Sequence, residues 1–434
     1  MIKKLITRPI AVTMSVIAIM VMSLVAMGYL PVSLMPAINI PQITVQVAAP
    51  SMSVREIDNV LLKPLKNQLS QVAGLKNITA EARADIGTIY MDFEPDCNID
   101  IVFIDVNEKM DRAITSLPKD VERPKVIKAS VTDIPAFYAP WFFNRLREGY
   151  LMVPNPFNPK AVSRISLDPA VVDCIVFWTK NPAPMLPRLR ELERYKYYFQ
   201  FTLNPYGADV ENRLPDLSRR IETFKRLSDA IGRDRVIWRY DPILTNGKYD
   251  VGFHCEAFAR IARALRDHTA KCMLGFIDHY RHIRGALGEL GVGPLRRDEI
   301  EVMAQSFVRT LEPYSVALET CTVKVDLRHL GIPSGMCIDR GLVERIAGYP
   351  IAAKKDKNQR QVCNCIESID VGTYETCLNG CAYCYAIKGN YNTAEYNRRR
   401  HDPDSPLMIG RPGGDDVIRE REMKSLRCER RLPF

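Results

Sequence analysis

Apolar runs separated by amphipathic helical stretches fill most of the chain beyond residue 137. The clearest runs are VVDCIVFWTK (171–180), YYFQFTLN (197–204), RVIWRYDPIL (235–244), KCMLGFIDHY (271–280) and SVALETCTV (315–323). Near-continuous apolar strands that alternate with amphipathic helices are typical of a parallel sheet covered on both faces. About six such units favour an α/β fold. We predict a β/α (TIM-like) barrel, complete or partial, with a C-terminal cysteine-rich cluster segment.

The N-terminal residues have a different pattern. Residues 10–30 carry no charge, and this length spans a bilayer as a transmembrane helix. Basic residues precede the segment and none occurs after it until Arg55, which predicts a cytoplasmic N-terminus, the lipid bilayer as a partner and an inner-membrane location. A signal peptide is the alternative, because Ala26-Met27-Gly28 could lie near a cleavage site. Both interpretations export the residues beyond position 30.

A small α+β pattern comes after the apolar segment. ITVQVAAP (43–50) predicts a strand, and Ser53 with Glu56 forms a capping box for a helix. Two strands are expected around Gly87, and a second helix is expected to end at Pro118. This β-α-β-β-α order predicts a partial ferredoxin-like porter subdomain.

The length of the chain and the distribution of its charges indicate how it divides into domains. The 434 residues allow several domains, and we expect boundaries at 1–30, 31–130, 131–350 and 351–434. Basic and acidic residues balance up to Phe137, so the net charge of +9 lies beyond it. A basic second part is compatible with an anionic substrate or nucleic acid, or with a solvated basic surface.

Polar residues lie directly after the predicted strands. In β/α folds the functional groups lie at the carboxyl ends of the strands. The candidate catalytic residues are Asp133, Lys180, Arg239, Asp241, Asp278 and Glu319. Ordinary loop caps are the alternative for each of them.

Three cysteines near the C-terminus carry the strongest chemical signal. Cys377, Cys381 and Cys384 have the spacing C-x3-C-x2-C, with Tyr383 before the last and Tyr385 after it. Three thiolates can hold a [4Fe–4S] cluster and leave one iron open for S-adenosylmethionine. The two tyrosines are candidate cofactor contacts, and a reductase or flavodoxin-type protein is the expected electron donor. Zinc is the rival metal, although it usually takes two C-x2-C pairs or added histidines.

Seven of the nine remaining cysteines fall into two groups. Cys337, Cys363 and Cys365 are candidate ligands of a second metal, or one of them closes the first cluster and removes the S-adenosylmethionine site. The others lack ligand-like spacing, and we interpret them as core thiols: Cys174, Cys255, Cys272 and Cys321.

Residues 1 to about 137 resemble a transporter family. The basic N-terminus, the apolar segment, PVSLMPAINIPQITVQVAAP, a helix with EID near its start and the later TSLPKDVERPKV resemble the N-terminus of the resistance-nodulation-division efflux transporters. The resemblance implies the first transmembrane helix and the first porter subdomain. It departs at APSMSVREID, where that family usually has a Tyr-Pro-Gly-Ala turn. The family's proton-coupling residues lie on later helices, so we expect a fragment that does not transport alone.

Residues 130–434 resemble a second family. TDIPAFYAPWFFNRLREGY, VIWRYDPIL and TCLNGCAYCYA are similar to a bacterial family of unknown function, whose C-terminal cysteines are like those that open radical-SAM domains. The resemblance implies a fold and a cofactor but no substrate. Usual radical-SAM enzymes carry the three cysteines near the N-terminus, whereas here they come last.

The two resemblances meet in KVIKASVTDIPAFY, a stretch that the families share. Ser130-Val131 stands where the second family is expected to carry two arginines. We therefore expect a chimera. A literal membrane span would export the cysteines to an oxidising compartment, where disulfides are favoured, so the cluster domain is expected to be cytoplasmic in its native context.

Three functions are compatible with these patterns. The first is a radical-SAM-like [4Fe–4S] enzyme of unknown substrate. The second is a fragment of an efflux transporter. The third is a structural iron–sulfur or nucleic-acid-binding module.

Overall fold

The computed structural model describes residues 13–14, 17–18, 20–23, 42–48, 58, 62–83, 86–94, 106, 126–155, 158–356, 359, 363–387, 391–421, 423 and 425–428. The chain divides into two compact units, Met1–Asp120 and Val121–Phe434.

The first unit contains a small antiparallel sheet. Its described elements are β1 (Gln42–Ala48), α1 (Lys63–Leu69), β2 (Leu75–Arg83) and β3 (Ile86–Phe93). The strand order is β1-β3-β2, with both pairs antiparallel. Leu65 and Leu69 of α1 belong to the same buried cluster as Ile89 and Met91 of β3. The two strands predicted around Gly87 are present, whereas the capping box and most of the second helix lie outside the described residues.

The predicted transmembrane helix is corrected by the structure. Among the described residues, none of the helices combines the length and the apolar character that crossing a membrane requires. Most of residues 10–30 lies outside the described part of the chain.

The second unit contains ten strands and eight α-helices in its described part. The strands are β4 (Val126–Ala129), β5 (Tyr150–Pro154), β6 (Ala161–Ser166), β7 (Cys174–Thr179), β8 (Tyr197–Thr202), β9 (Val236–Ile243), β10 (Lys271–Phe276), β11 (Ala317–Thr320), β12 (Ser368–Asp370) and β13 (Val417–Glu420). The helices are α2 (Ile134–Phe137), α3 (Ala139–Glu148), α4 (Leu217–Ile231), α5 (Val251–Leu265), α6 (Arg284–Glu289), α7 (Arg297–Leu311), α8 (Arg340–Ala347) and α9 (Tyr391–Arg399). Short 3-10 helices cover Leu186–Leu192, Arg233–Arg235, Arg281–Ile283 and Arg328–Leu330.

Seven of these strands form one parallel sheet in the order β12-β4-β7-β8-β9-β10-β11. A closed barrel would require the two edge strands, β11 and β12, to pair with each other. β12, from far along the chain, pairs with β4 in the register Ser368 opposite Val126, and no pairing of β12 with β11 occurs in the described residues. The TIM-like barrel prediction is therefore wrong: in the described residues the sheet is open, with β11 and β12 at its edges.

Both faces of the large sheet are buried. Alternate residues of each strand point to opposite faces. Ile175 and Phe177 of β7 belong to the cluster that α3, α4, α5 and α7 complete, whereas Cys174 and Val176 belong to the cluster that α8 completes. Two-sided burial explains why these strands are almost continuously apolar in the sequence.

The second unit also contains a small three-stranded sheet. Its order is β13-β6-β5, with β5 and β6 antiparallel and β13 parallel to β6. Trp141 of α3 is fully buried, and its indole N–H donates to the carbonyl of Ser405 at 2.9 Å. The C-terminal segment is thereby fixed against the first helices of the unit.

Candidate cysteine site at the carboxyl edge of the sheet

The three cysteines of the C-x3-C-x2-C pattern lie on residues 371–387, which we name the cysteine loop. The loop follows β12. Because β12 is parallel to β4, the loop leaves the sheet at the carboxyl edge, where α/β folds place their ligands. The Thr132 hydroxyl donates to the carbonyl of Thr373 at 2.6 Å, and the Tyr138 hydroxyl donates to the carbonyl of Thr376 at 2.8 Å. The segment after β4 therefore fixes the start of the loop.

The turn between the first two cysteines depends on a glycine. Gly380 has φ of +67°, in the left-handed region, and a Cβ there would lie 2.0 Å from Oδ1 of Asn212. Both the backbone angle and the close approach favour glycine at this position. The adjacent Cys381 forms an isolated antiparallel bridge with Glu211, which brings the loop against the segment that follows β8.

Cys377, Cys381 and Cys384 are half-buried and free. Burial of the sulfur atoms raises the pKa of each thiol to about 12. Smaller contributions come from within the set: Cys384 raises the pKa of Cys377, Cys377 that of Cys381, and Cys381 that of Cys384. The three thiols are thus close enough to influence one another electrostatically, and each is protonated at neutral pH.

Asp133 connects three segments of the site. Its carboxylate accepts from the backbone N–H of Ala136 at 3.1 Å, where it caps α2, from the N–H of Lys180 at 2.8 Å and from the side-chain amide of Asn379 at 3.0 Å. Burial raises the pKa of Asp133, although these hydrogen bonds oppose the shift. Asp133, four residues beyond the end of β4, is therefore hydrogen-bonded both to the residue that follows β7 and to the cysteine loop.

A buried ion-pair network lies beside the middle cysteine. The side chain of Glu211 is fully buried and is bound by Nζ of Lys180 at 2.8 Å and by Nη1 of Arg220 at 3.1 Å. The Tyr383 hydroxyl donates to the same carboxylate, and Nζ of Lys180 lies 2.8 Å from that hydroxyl. Burial raises the pKa of Glu211, but the two cations outweigh it and hold the pKa below its usual range.

Asn204 links this network to β9. Its side-chain amide donates to the Tyr383 hydroxyl at 3.2 Å and to the carbonyl of Asp241 at 3.0 Å, and its Oδ1 accepts from the Asp241 N–H at 3.0 Å. Asp241 in turn pairs with the guanidinium of Arg239. Polar groups from the ends of β8 and β9 thus form a continuous hydrogen-bonded chain to the cysteine loop.

Arg239 ends that chain at a second group of cysteines. Its Nη1 donates to the Sγ of Cys337 at 2.9 Å. Cys337 Sγ lies 2.9 Å from Cys321 Sγ. The side chain of Cys337 lowers the pKa of the Cys365 thiol, whereas the side chain of Cys363 and burial raise it, and the resulting pKa is about 11. The structure therefore gathers Cys337, Cys363 and Cys365 in one place, apart from the three cysteines of the loop.

The other predicted site residues have different surroundings. Glu319, the penultimate residue of β11, is paired with Nζ of Lys271 at 2.8 Å, and Lys271 is the first residue of β10. Asp278 lies in the segment that follows β10 and is half-buried. The Tyr385 side chain is 41% exposed, and its hydroxyl donates to the carbonyl of Ser130 at 3.1 Å.

Among the described residues, no group of three or more His, Cys, Asp or Glu side chains is arranged so that it could hold a metal ion as it stands. The roles predicted for the cysteines and for the strand-end residues remain predictions.

Several residues of the site carry no signal in the sequence. Glu211, Arg220 and Asn379 lie in loops or on a helix without a recognisable motif, and only the fold brings them to the cysteine loop. Cys321 lacks ligand-like spacing in the sequence, which favours a core thiol. Its position directly after an apolar strand is the one available signal, the same signal that selects Lys180 after β7.

The matches to known families agree with this division of the chain. Residues 126–386 match the family described as a domain of unknown function (DUF1848), and residues 1–139 match the AcrB/AcrD/AcrF family. The two matches overlap at residues 126–139, which contain β4 and Asp133, and they confirm the expectation of a chimera. Since the DUF1848 match covers more than half of the chain, this protein belongs to the DUF1848 family, and its residues 1–139 are similar to the AcrB/AcrD/AcrF family.

Proposed function

We propose that the second unit is a radical-SAM-like iron–sulfur protein. In this proposal Cys377, Cys381 and Cys384 hold a [4Fe–4S] cluster and leave one iron open for S-adenosylmethionine. The observation that carries the proposal is the grouping of three neighbouring thiols on one loop, at the carboxyl edge of a parallel sheet and beside a buried ion-pair network. When bound, the cluster supplies one electron to the sulfonium and so generates a carbon radical.

The donor set suits a cubane better than a single ion. Each of the three thiolates of a cubane binds its own iron, so the sulfurs stand apart instead of surrounding one point. Three thiols spread over eight residues, with no group in the described chain ready to hold one ion, are compatible with that arrangement.

Lys180 and Tyr383 suit the neighbourhood of such a cluster. The positive charge of Lys180 lowers the pKa of Cys381 against the larger effect of burial, and it would offset negative charge on the thiolates. Glu211 receives hydrogen bonds from both side chains, which fixes their positions. We assign them to positioning and charge balance.

Arg239 and Asp241 are the proposed substrate contacts. Both lie on β9, and the side chain of Asp241 is about one-quarter exposed (26%), whereas that of Arg239 is nearly buried. The substrate is a small molecule or nucleic acid that the basic second unit attracts, and a flavodoxin-type protein supplies the electron.

Anaerobic reconstitution with iron and sulfide tests the proposal. The full-length chain should gain broad visible charge-transfer absorption and about four irons per chain at these cysteines. After reduction it should cleave S-adenosylmethionine to methionine and 5′-deoxyadenosine. A variant with Cys377, Cys381 and Cys384 replaced by serine should lose cleavage, whereas Cys255→Ser, at a half-buried cysteine on α5, should keep it. An intact cluster without cleavage would instead support a closed, structural cluster.

A further inference from the structure

Four cysteines from three separate segments of the chain converge on one face of the large sheet. Cys321 follows β11, Cys337 precedes α8, and Cys363 with Cys365 precedes β12. Cys337, Cys363 and Cys365 belong to one buried cluster, with Cys321 packed against it. No two of these segments adjoin in the sequence, so the fold alone creates the group.

Two of the sulfurs are in direct contact, because Cys321 Sγ and Cys337 Sγ lie 2.9 Å apart. The side chains of Cys337 and Cys365 shift each other's pKa, as do those of Cys365 and Cys363, so the four thiols lie close together. Four thiols of this kind are the ligand set that soft metals prefer.

Several hydrogen-bond donors point at these sulfurs. The backbone N–H groups of Cys337 and Ile338 donate to Cys365 Sγ at 3.2 and 3.4 Å, and Arg239 donates to Cys337 Sγ. Hydrogen bonds to sulfur stabilise metal-bound thiolates and tune the metal. Tyr198 and Gln200 both donate to the carbonyl of Cys337 at 2.7 Å, which fixes the turn that carries it.

We propose that Cys321, Cys337, Cys363 and Cys365 form a second, tetrathiolate metal centre, independent of the cysteine loop. On metal binding each S–H releases its proton to solvent, and the guanidinium of Arg239 offsets part of the negative charge that results. Two sulfurs on one tetrahedral zinc stand about 3.8 Å apart for Zn–S bonds of about 2.3 Å, so the metal must separate Cys321 from Cys337 by about 0.9 Å. In the described residues no such group of side chains could hold an ion as it stands, so metal binding requires this movement.

The shared chemistry is four thiolates, and the occupant is zinc or an iron–sulfur cluster. The test uses the full-length chain with Cys377, Cys381 and Cys384 replaced by serine, purified without oxygen and analysed for zinc, iron and acid-labile sulfide. We expect about one zinc, or about four irons with matching sulfide, per chain. Zinc identifies a single-ion site, and iron with sulfide identifies a cluster.

Further replacement of Cys337 and Cys365 by serine should remove the metal, while the control replacement Cys255→Ser should leave it. The proposal is overturned if the folded triple variant carries neither metal, or if its metal survives the loss of Cys337 and Cys365. Because the loop cysteines are absent throughout, the result is separate from that of the radical-SAM proposal.

Alkylation of the unmodified chain covers the case in which the variants do not fold. The four cysteines should be protected together from a thiol reagent and become reactive together after a chelator is added, whereas labelling of Cys255 should not respond to the chelator. Burial alone would protect the four cysteines with and without the chelator, and that outcome would contradict the metal centre.

Discussion

At the scale of single residues, Glu211 determines the charge balance beside the cysteine loop. It is a buried carboxylate that holds Lys180, Arg220 and Tyr383 at once. Burying one charge is costly, and the network is tolerated because two cations and a hydroxyl compensate for it. Removal of the carboxylate would leave two buried cations without a counter-charge.

We therefore expect Glu211→Gln to lower the free energy of unfolding by about 3–5 kcal/mol. The matched control is Glu395→Gln, because Glu395 forms an exposed pair with Arg213 at 2.9 Å, and an exposed pair contributes at most about 1 kcal/mol. Urea denaturation of both variants measures the difference. Equal losses would contradict the role given to the buried network.

The raised thiol pKa values predict a pH dependence of stability. Cys377, Cys381 and Cys384 have pKa values of about 12 in the folded, metal-free chain, above the ordinary value of about 8.5 expected after unfolding. The folded state therefore holds these protons more tightly, and the stability that they contribute is present below pH of about 9 and is lost as the pH rises toward 12.

Urea denaturation at two pH values checks this expectation. Between a pH of about 8 and a pH of about 10.5, the metal-free wild-type chain should lose more stability than the chain with all three cysteines replaced by serine. Other groups that titrate in this range are present in both chains and cancel in the comparison. An equal loss in the two chains would show that the thiols are not buried in the folded state.

At the scale of elements, the segment after β4 holds the cysteine loop in place. Thr132, Asp133 and Tyr138 all bind it, while the strand itself pairs with β7 and β12. The segment after β4 therefore helps to set the position of the cysteines, together with hydrogen bonds inside the loop such as that from the N–H of Glu375 to the carbonyl of Ala386 at 3.0 Å.

Asp133→Asn tests this attachment. An asparagine offers one acceptor oxygen where the aspartate uses two, and its amide N–H groups would oppose the donors from Lys180 and Asn379. We expect faster amide hydrogen exchange across residues 371–387 with little change in β8 and β9. The control is Asp168→Asn, at an exposed turn where Asp168 accepts from Ala170 at 2.9 Å. Uniformly faster exchange through the sheet would indicate general destabilisation instead.

The strands of the large sheet could be predicted because two-sided burial leaves a continuous apolar run. YYFQFTLN predicted β8, all six residues of which are buried. The three loop cysteines could be found by their spacing. The strand at one edge of the open sheet could not be predicted, because β12 is only three residues long and carries no apolar run. Glu211 and Cys321 were missed because no sequence motif links them to their partners, such as Lys180 and Cys337, which only the fold brings to them.

At the scale of the whole molecule, the two units have separate cores. The buried cluster of the first unit is built from residues 43–106, and the two large clusters that line the sheet of the second unit lie within residues 126–426. A cut between them removes no residue from any of these clusters.

We expect a shortened chain that begins at Val121 to fold alone. It should show the same cooperative thermal transition as the second unit of the full-length protein, and the same metal content per chain. Circular dichroism and metal analysis of the two chains provide the comparison. A shortened chain without a cooperative transition would contradict the independence of the units.

The overlap of the two family matches at residues 126–139 has a consequence for how such a chain could arise. This short stretch carries β4, which occupies an interior position of the sheet, and Asp133, which holds the loop. A recombination breakpoint within it leaves the descendant gene with every strand in register and the aspartate in place. A fusion at this place therefore keeps all seven described strands of the large sheet in the second unit.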